Sequence, residues 1–363
     1  MIKILTIVGA RPQFIKAAAV SRVIRSEFSR KISEVLVHTG QHYDENMSKV
    51  FFDELDIPNP KYNLEVAGGA HGAMTGRMLE AVEQVLLSEK PNWLLIYGDT
   101  NSTLAGALAA AKLHIPIAHV EAGLRSFNMR MPEEINRILA DRVSTLLFCP
   151  TYAAVSNLRA EGLGNGVHNV GDVMFDVALH YREKALRHST AMARLGLIAG
   201  DFVLATCHRA ENTDDPDRLG NIAAALGEIS KSLPVLLPLH PRTRKQLAEY
   251  KLDGLLGKTM VIDPLPFLDM VALEQAAKLI MTDSGGVQKE AFFFGVPCIT
   301  MRNETEWVET VETGWNQLSG TSIDTIVRAY SMAKRPPRSL ESYPYGDGNA
   351  AHGILEILIN MQN

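Results

Sequence analysis

The chain has 363 residues, and at roughly 150 residues per domain that length predicts two domains rather than one core. Apolar residues make up 46% and charged residues 21%, which excludes a disordered or fibrous chain. Acids outnumber bases 41 to 36; a net charge of −5 leaves no basic stripe for nucleic acid, although a local pocket can still gather a small anion.

The chain opens on an apolar run, residues 2–8, which Arg11 follows too soon for a signal peptide and without a small-residue cleavage site. Further apolar runs fall at 34–38, 93–97, 115–120 and 145–149, separated by helix-like stretches at 14–28, 44–55, 74–87, 102–113 and 132–143. A second series runs 202–206, 235–239, 260–262, 279–282 and 296–300, with helices near 217–230, 241–250, 267–277 and 287–294. Short β-rich runs alternating with helices predict βαβ units and parallel sheets, whose strands read as continuous apolar runs because helices cover both faces. The fold class is therefore α/β, as two Rossmann-like, doubly wound domains facing a central cleft. Residues 1–172 form the first and 173–345 the second. A short helix in 346–363 is expected to pack back on the first. Cys149, Cys207 and Cys298 lie far apart without a CxxC and read as reduced, buried thiols. No 18 apolar residues run together, so the expectation is a soluble, cytoplasmic protein with no membrane span.

In such sheets ligands bind beyond the carboxyl ends of the strands, so those residues carry the chemistry. The first strand ends in Gly9-Ala10-Arg11-Pro12-Gln13-Phe14-Ile15-Lys16. Arg11 and Lys16, near a helix N-terminus, suit a phosphate or carboxylate, though solvated cations would look the same. No GxGxxG occurs here or at any later strand end, which argues against a dinucleotide cofactor. Asp99 follows the run 93–97 and reads either as an acid/base group or as a helix N-cap. Glu121 directly follows an apolar strand, where an acid is costly without a partner or a task. Glu133 and Glu134 open a helix and can act on substrate, complement the helix dipole, or, for Glu133, pair with Arg137.

The second half supplies His208 and Arg209 at a strand end, suited to an anion and to proton transfer. His240, before Arg242 and Arg244, repeats the theme. Asp283-Ser284-Gly285-Gly286 runs from a strand into a helix. Its glycines admit a diphosphate to the backbone, and Glu290, further along, can accept ribose hydroxyls. No Walker loop, GxSxG elbow or metal-ligand spacing is visible.

Together these motifs resemble the non-hydrolysing UDP-N-acetylglucosamine 2-epimerase family. The markers are GARPQFIK (9–16), TGQHYD (39–44), GDTNST (98–103), HVEAGLRS (119–126), PEEINR (132–137), CHRAEN (207–212), DSGGVQKE (283–290) and YPYGDG (343–348). The resemblance implies a GT-B-like fold and a homodimer. It also implies inversion of C2 of a UDP-linked N-acetylated sugar through elimination and re-addition of UDP, without cofactor or metal. By motif, Asp99, Glu121, Glu133 and His208 are then the catalytic groups. Arg11, Lys16, Arg209, His240, Ser284, Gly285, Gly286 and Glu290 hold UDP. Many members carry Glu where Gln13 stands, and the stretch from Gln41 to Asp44 departs from that of enzymes with an allosteric substrate site. GARPQFIK, QHYDENM and the segment Arg302 to Trp307 look more like UDP-2,3-diacetamido-2,3-dideoxyglucuronate 2-epimerases. A 6-carboxylate would take an additional cation from Arg125, Arg130 or Arg302. The alternative is a GT-B glycosyltransferase using a UDP-sugar donor.

Overall fold

The computed structural model describes residues 1–41, 59–336 and 344–361. The expected helix at 44–55 and the positions of His42, Tyr43, Asp44 and Tyr343 lie outside the described residues. The chain divides into two compact units, Met1–Val177 with Tyr343–Asn363, and Ala178–Ser342.

In the first unit, β1 (Ile2–Val8), β2 (Ile32–His38), β3 (Tyr62–Asn63), β4 (Trp93–Tyr97), β5 (Ile117–Val120), β6 (Leu146–Cys149) and β7 (Val167–Asn169) form one sheet. Its order is β3-β2-β1-β4-β5-β6-β7, with every pairing parallel. Strand residues Leu5, Ile7, Val37, Leu94 and Ile96 share a core with Val82, Leu86, Ala107, Ala110 and Ala140 from the covering helices. The alanine-rich helix Asn101–Lys112 lies close over the sheet: a Cβ on Gly106 would stand 2.8 Å from Ile7 Cδ1.

The second unit repeats the plan with β8 (Val203–Thr206), β9 (Val235–Pro238), β10 (Met260–Ile262), β11 (Leu279–Thr282), β12 (Cys298–Thr300) and β13 (Asn316–Leu318). The order β10-β9-β8-β11-β12-β13 is again all parallel. Each sheet therefore reverses its winding at one place, between β1 and β4 and between β8 and β11, where an open α/β sheet makes a crevice for ligand.

The first unit reaches Val177 rather than 172 because the first turn of the helix Val173–His188 belongs to it. Asp176 accepts hydrogen bonds from the backbone N–H groups of Ala350 and Ala351, at 3.1 and 2.8 Å. That carboxylate caps the C-terminal helix Ala350–Asn360, and His352 of the helix stacks on Phe28 and pairs with Glu27. The helices Tyr152–Ala160 and Ile323–Met332 and the strand β13 add to the elements that the sequence predicts.

Candidate active site

In the first unit, the ends of β1, β4 and β5 bring Lys16, Asp99 and Glu121 to the switch point of the sheet. Lys16, in the helix Arg11–Val23, is buried with its Nζ on Glu121 Oε2. It thus joins the carboxylates instead of standing with Arg11, which is half-buried at the helix start. Glu121 is itself buried, and its φ of +70° is one that L-residues rarely adopt. Gly98 has φ +60°, and a Cβ there would stand 3.1 Å from Glu121 Oε2 and 3.3 Å from Lys16 Nζ. Glycine suits both the turn and the ion pair packed on it.

Asp99 is not the N-cap that its position allowed. Thr100 caps the helix Asn101–Lys112, accepting from the N–H of Thr103, and Asp99 Oδ2 pairs with the guanidinium of Arg137. Arg137 also meets Glu134 at 3.1 Å, where the spacing had suggested Glu133. Glu134 is 1% exposed and accepts from Ser126 N–H and Oγ and from Phe127 N–H, at 3.0, 2.9 and 3.0 Å. Glu133 is half-buried and has no hydrogen-bond or ion-pair partner among the described residues, which leaves its carboxylate open to a ligand.

Three successive carbonyls of the β4 turn are each held by side chains. Tyr97 O accepts from Gln13 Nε2 at 2.9 Å and Thr103 Oγ1 at 2.7 Å. Gly98 O accepts from His119 Nε2 at 2.8 Å, and Asp99 O from Asn136 Nδ2 at 2.9 Å. Gln13 needs its amide for this: Oε1 accepts from the N–H of Gly9 and Ala10 while Nε2 donates.

In the second unit, β8 ends in His208 and Arg209 and β11 ends in Asp283. Asp283 is fully buried. It accepts from the N–H of His208 at 3.1 Å, the N–H of Arg209 at 3.0 Å and Asn212 Nδ2 at 3.2 Å. The His208 ring stays exposed, its Nδ1 3.5 Å from Asp283 Oδ1. Sequence reasoning quoted Asp283 within a motif without giving it this task, because its partners lie some seventy positions away. Ser284 caps the helix Gly285–Phe294, its Oγ accepting from the N–H of Val287. A Cβ on Gly285 would come 2.6 Å from Glu306 Oε1, Gly286 is exposed and Glu290 half-buried. His240 caps the helix Pro241–Glu249, Nδ1 accepting from the N–H of Arg242. Burial first, and then the positive charges of His208 and Arg242, lower its pKa, which favours the neutral ring that this acceptor role requires. Arg242 and Arg244 pair with Asp214 and Asp263.

Of the three arginines suggested for a 6-carboxylate, Arg125 is buried on Asp141 and Glu161. Arg302 is buried with Nη1 on Glu306, and Arg130 is exposed. Burial pushes the thiols of Cys149 and Cys298 up to about 12 and raises that of Cys207 well above its ordinary value, so all three stay protonated.

The family model for UDP-N-acetylglucosamine 2-epimerase matches residues 26–359. This chain belongs to the UDP-N-acetylglucosamine 2-epimerase family. The UDP-2,3-diacetamido-2,3-dideoxy-D-glucuronate 2-epimerase of Pseudomonas aeruginosa is 55% identical, over 99% of this chain and 100% of its own. The UDP-N-acetylglucosamine 2-epimerase of Methanocaldococcus jannaschii, solved with UDP-GlcNAc and UDP, superposes with a TM-score of 0.92 at 43% identity, over 99% of each chain. That of Neisseria meningitidis, bound to UDP-GlcNAc, gives 0.88 at 30% identity, over 99% of this chain and 100% of its own. A 2-epimerase of this family is an isomerase with a GT-B-like pair of Rossmann-like domains, and membership favours that class over the glycosyltransferase alternative. Among the described residues no helix is long and apolar enough to cross a membrane.

Proposed function

We propose that this enzyme inverts C2 of a UDP-linked N-acetylated sugar for cell-surface polysaccharide synthesis, with the UDP-2,3-diacetamido-uronate as substrate and UDP-N-acetylglucosamine as the competing one. The observation that carries the reading is the gathering of Glu121 and Asp99, each with its own cation, at one sheet's switch point. Carboxylates in such different settings can divide acid and base work. The 55% identical relative favours the uronate, and exposed Arg130 is the cation assigned to its 6-carboxylate.

One carboxylate takes the C2 proton as the C1–O bond breaks and its electron pair leaves with UDP, so that a C1–C2 double bond forms in a bound 2-acetamidoglucal. A UDP oxygen then returns to C1, and a proton reaches C2 from the opposite face. Electrons balance within the sugar, so the step calls for no redox cofactor. Asp99, Glu121 and Glu133 supply the acid/base groups, and Lys16 pairs with Glu121. His208 stabilises departing UDP. Arg11, Arg209, His240 and the turn Ser284-Gly285-Gly286 hold the diphosphate, and Glu290 the ribose. A nucleotide-sugar substrate and protonated thiols support a cytoplasmic setting. Exposed Phe127, Met129, Ile135 and Leu139 support self-association as a homodimer.

The test is incubation with each UDP-sugar in D2O without an acceptor, read by NMR for deuterium at C2. Exchange is expected with the uronate, and its absence with both sugars would sink the reading. Glu121→Gln is expected to lower exchange by about 100-fold or more while leaving the Kd for UDP unchanged. Ser284→Ala and Glu290→Ala should weaken UDP binding first, and Arg130→Ala should raise KM for the uronate alone.

A further inference from the structure

A chain of charged side chains runs beneath the carboxylate site of the first unit without belonging to it. His119 and Asp141 are both fully buried. His119 sits on β5, two residues before Glu121, and its Nδ1 lies 2.8 Å from Asp141 Oδ1. Its Nε2 lies 2.8 Å from the carbonyl of Gly98. A carbonyl only accepts, so Nε2 carries the proton that the bond needs. Asp141 Oδ2 accepts from the backbone N–H of Gly123 at 3.1 Å and from Arg125 Nη1 at 2.8 Å. Arg125 also donates to Leu124 O at 2.6 Å and is gripped from outside by both oxygens of Glu161, at 2.7 and 2.8 Å. Burial would raise the Asp141 carboxyl, but His119 and Arg125 outweigh it and hold it below the usual range.

The ends of this chain fall at the two turns that carry the chemistry. Gly98 precedes Asp99, and Gly123 closes the turn that begins at the strained Glu121. The fixed partners of Asp141 thus bind one turn through His119 and the other through its own second oxygen. Burying three ionisable groups for stability alone gains little, since desolvation offsets most of what pairing gains; setting two turns in register is a use that compensates for it.

We propose that His119 and Asp141 are positioning residues for the epimerisation, a single buried pair that fixes the turn of Asp99 against the turn of Glu121. This rests on the catalytic reading of those two carboxylates. Neither His119 nor Asp141 touches the sugar; they set the distance between the groups that do, and a misplacement of about 1 Å costs about 100-fold in rate.

Two substitutions separate the bonds of His119. His119→Gln places an amide N–H near the position of Nε2 and keeps the donor to Gly98. His119→Asn places one near Nδ1 and loses it. With the UDP-uronate as substrate, His119→Asn is expected to lower kcat about 100-fold with KM and the Kd for UDP within threefold. His119→Gln is expected to recover at least tenfold of that loss at equal or lower melting temperature. Equal loss in both variants, or loss that tracks melting temperature alone, overturns the proposal, as does an undiminished kcat in either His119→Asn or Asp141→Asn. If the variants do not fold, the unmodified enzyme labelled with 15N-histidine decides. A slowly exchanging ring N–H whose shift moves on addition of the UDP-sugar supports the proposal, and a ring N–H that exchanges fast or does not move overturns it. Glu121→Gln is run alongside. If that variant keeps full exchange, the reading of the site itself has failed, whatever His119 does.

Discussion

Gln13 shows what a single amide accomplishes at this site. Its oxygen takes two backbone N–H groups of the β1 turn and its nitrogen serves Tyr97 O and Thr103 Oγ1. A carboxylate in its place would keep the first pair and set an acceptor against the Tyr97 carbonyl. Gln13→Glu is therefore expected to destabilise by about 1–3 kcal/mol, seen as a lower denaturant midpoint at unchanged slope. An unchanged midpoint would show the site able to protonate or rearrange around the acid. The sequence marked Gln13 as a departure but not as a connector, because its partners, Tyr97 on β4 and Thr103 in the following helix, lie 84 and 90 positions on. Glu121, by contrast, was legible: an acid behind an apolar strand announces a cost that something must offset. His119, Asp141 and Asp283 lie in or near quoted motifs, yet their burial and long-range bonds leave no local pattern.

At the scale of elements, the βαβ alternation was readable because strand and helix periodicities differ and because parallel strands are apolar on both faces. Short or amphipathic elements such as β13 and the helix Ile323–Met332 escaped, since three residues of strand and a partly exposed helix offer little signal. The helix Pro132–Val143 carries two kinds of information. Its inner face holds Glu134, Asn136, Arg137 and Asp141, all buried, while Ile135 and Leu139, one turn apart, stay exposed. Apolar residues in that exposed position suit a partner surface. Ile135→Asp with Leu139→Asp is expected to shift the mass in light scattering from dimer to monomer with the secondary structure intact. A wild-type mass already that of one chain would remove this face from consideration.

For the whole molecule, pH acts through carboxylates shifted in opposite directions. Glu89 accepts from Lys61 and Tyr62 at 2.6 Å and from Lys3 at 3.2 Å, and these bonds, that of Lys61 foremost, lower its pKa to about 2 from an ordinary 4.5. Its folded pKa is the lower one, so its contribution is complete above about pH 5 and is lost as pH falls toward 2. The stability difference between wild type and Glu89→Gln is expected to shrink to nothing over that window in urea titrations at stepped pH. A constant difference would refute it. Asp176 runs the other way. Burial pushes its carboxyl up to about 6, against the opposing pull of the Ala350 and Ala351 amides. Ionising it therefore costs folded-state stability as pH rises from about 4 to about 6. Two domains were legible from length alone; that the C-terminal helix hangs on one such carboxylate of the first unit was not, for that bond spans 174 positions.

The three carbonyls of residues 97, 98 and 99 are claimed by side chains from separate elements, and that arrangement has a thermodynamic consequence. The turn cannot loosen one peptide at a time, since freeing any carbonyl means moving a helix or a strand. Its amides are then expected to exchange with solvent only when the whole first unit opens, so that protection there equals the unfolding free energy of that unit. The ordering entropy of this turn is lost once, when the chain folds, and a ligand that meets it does not have to supply it again.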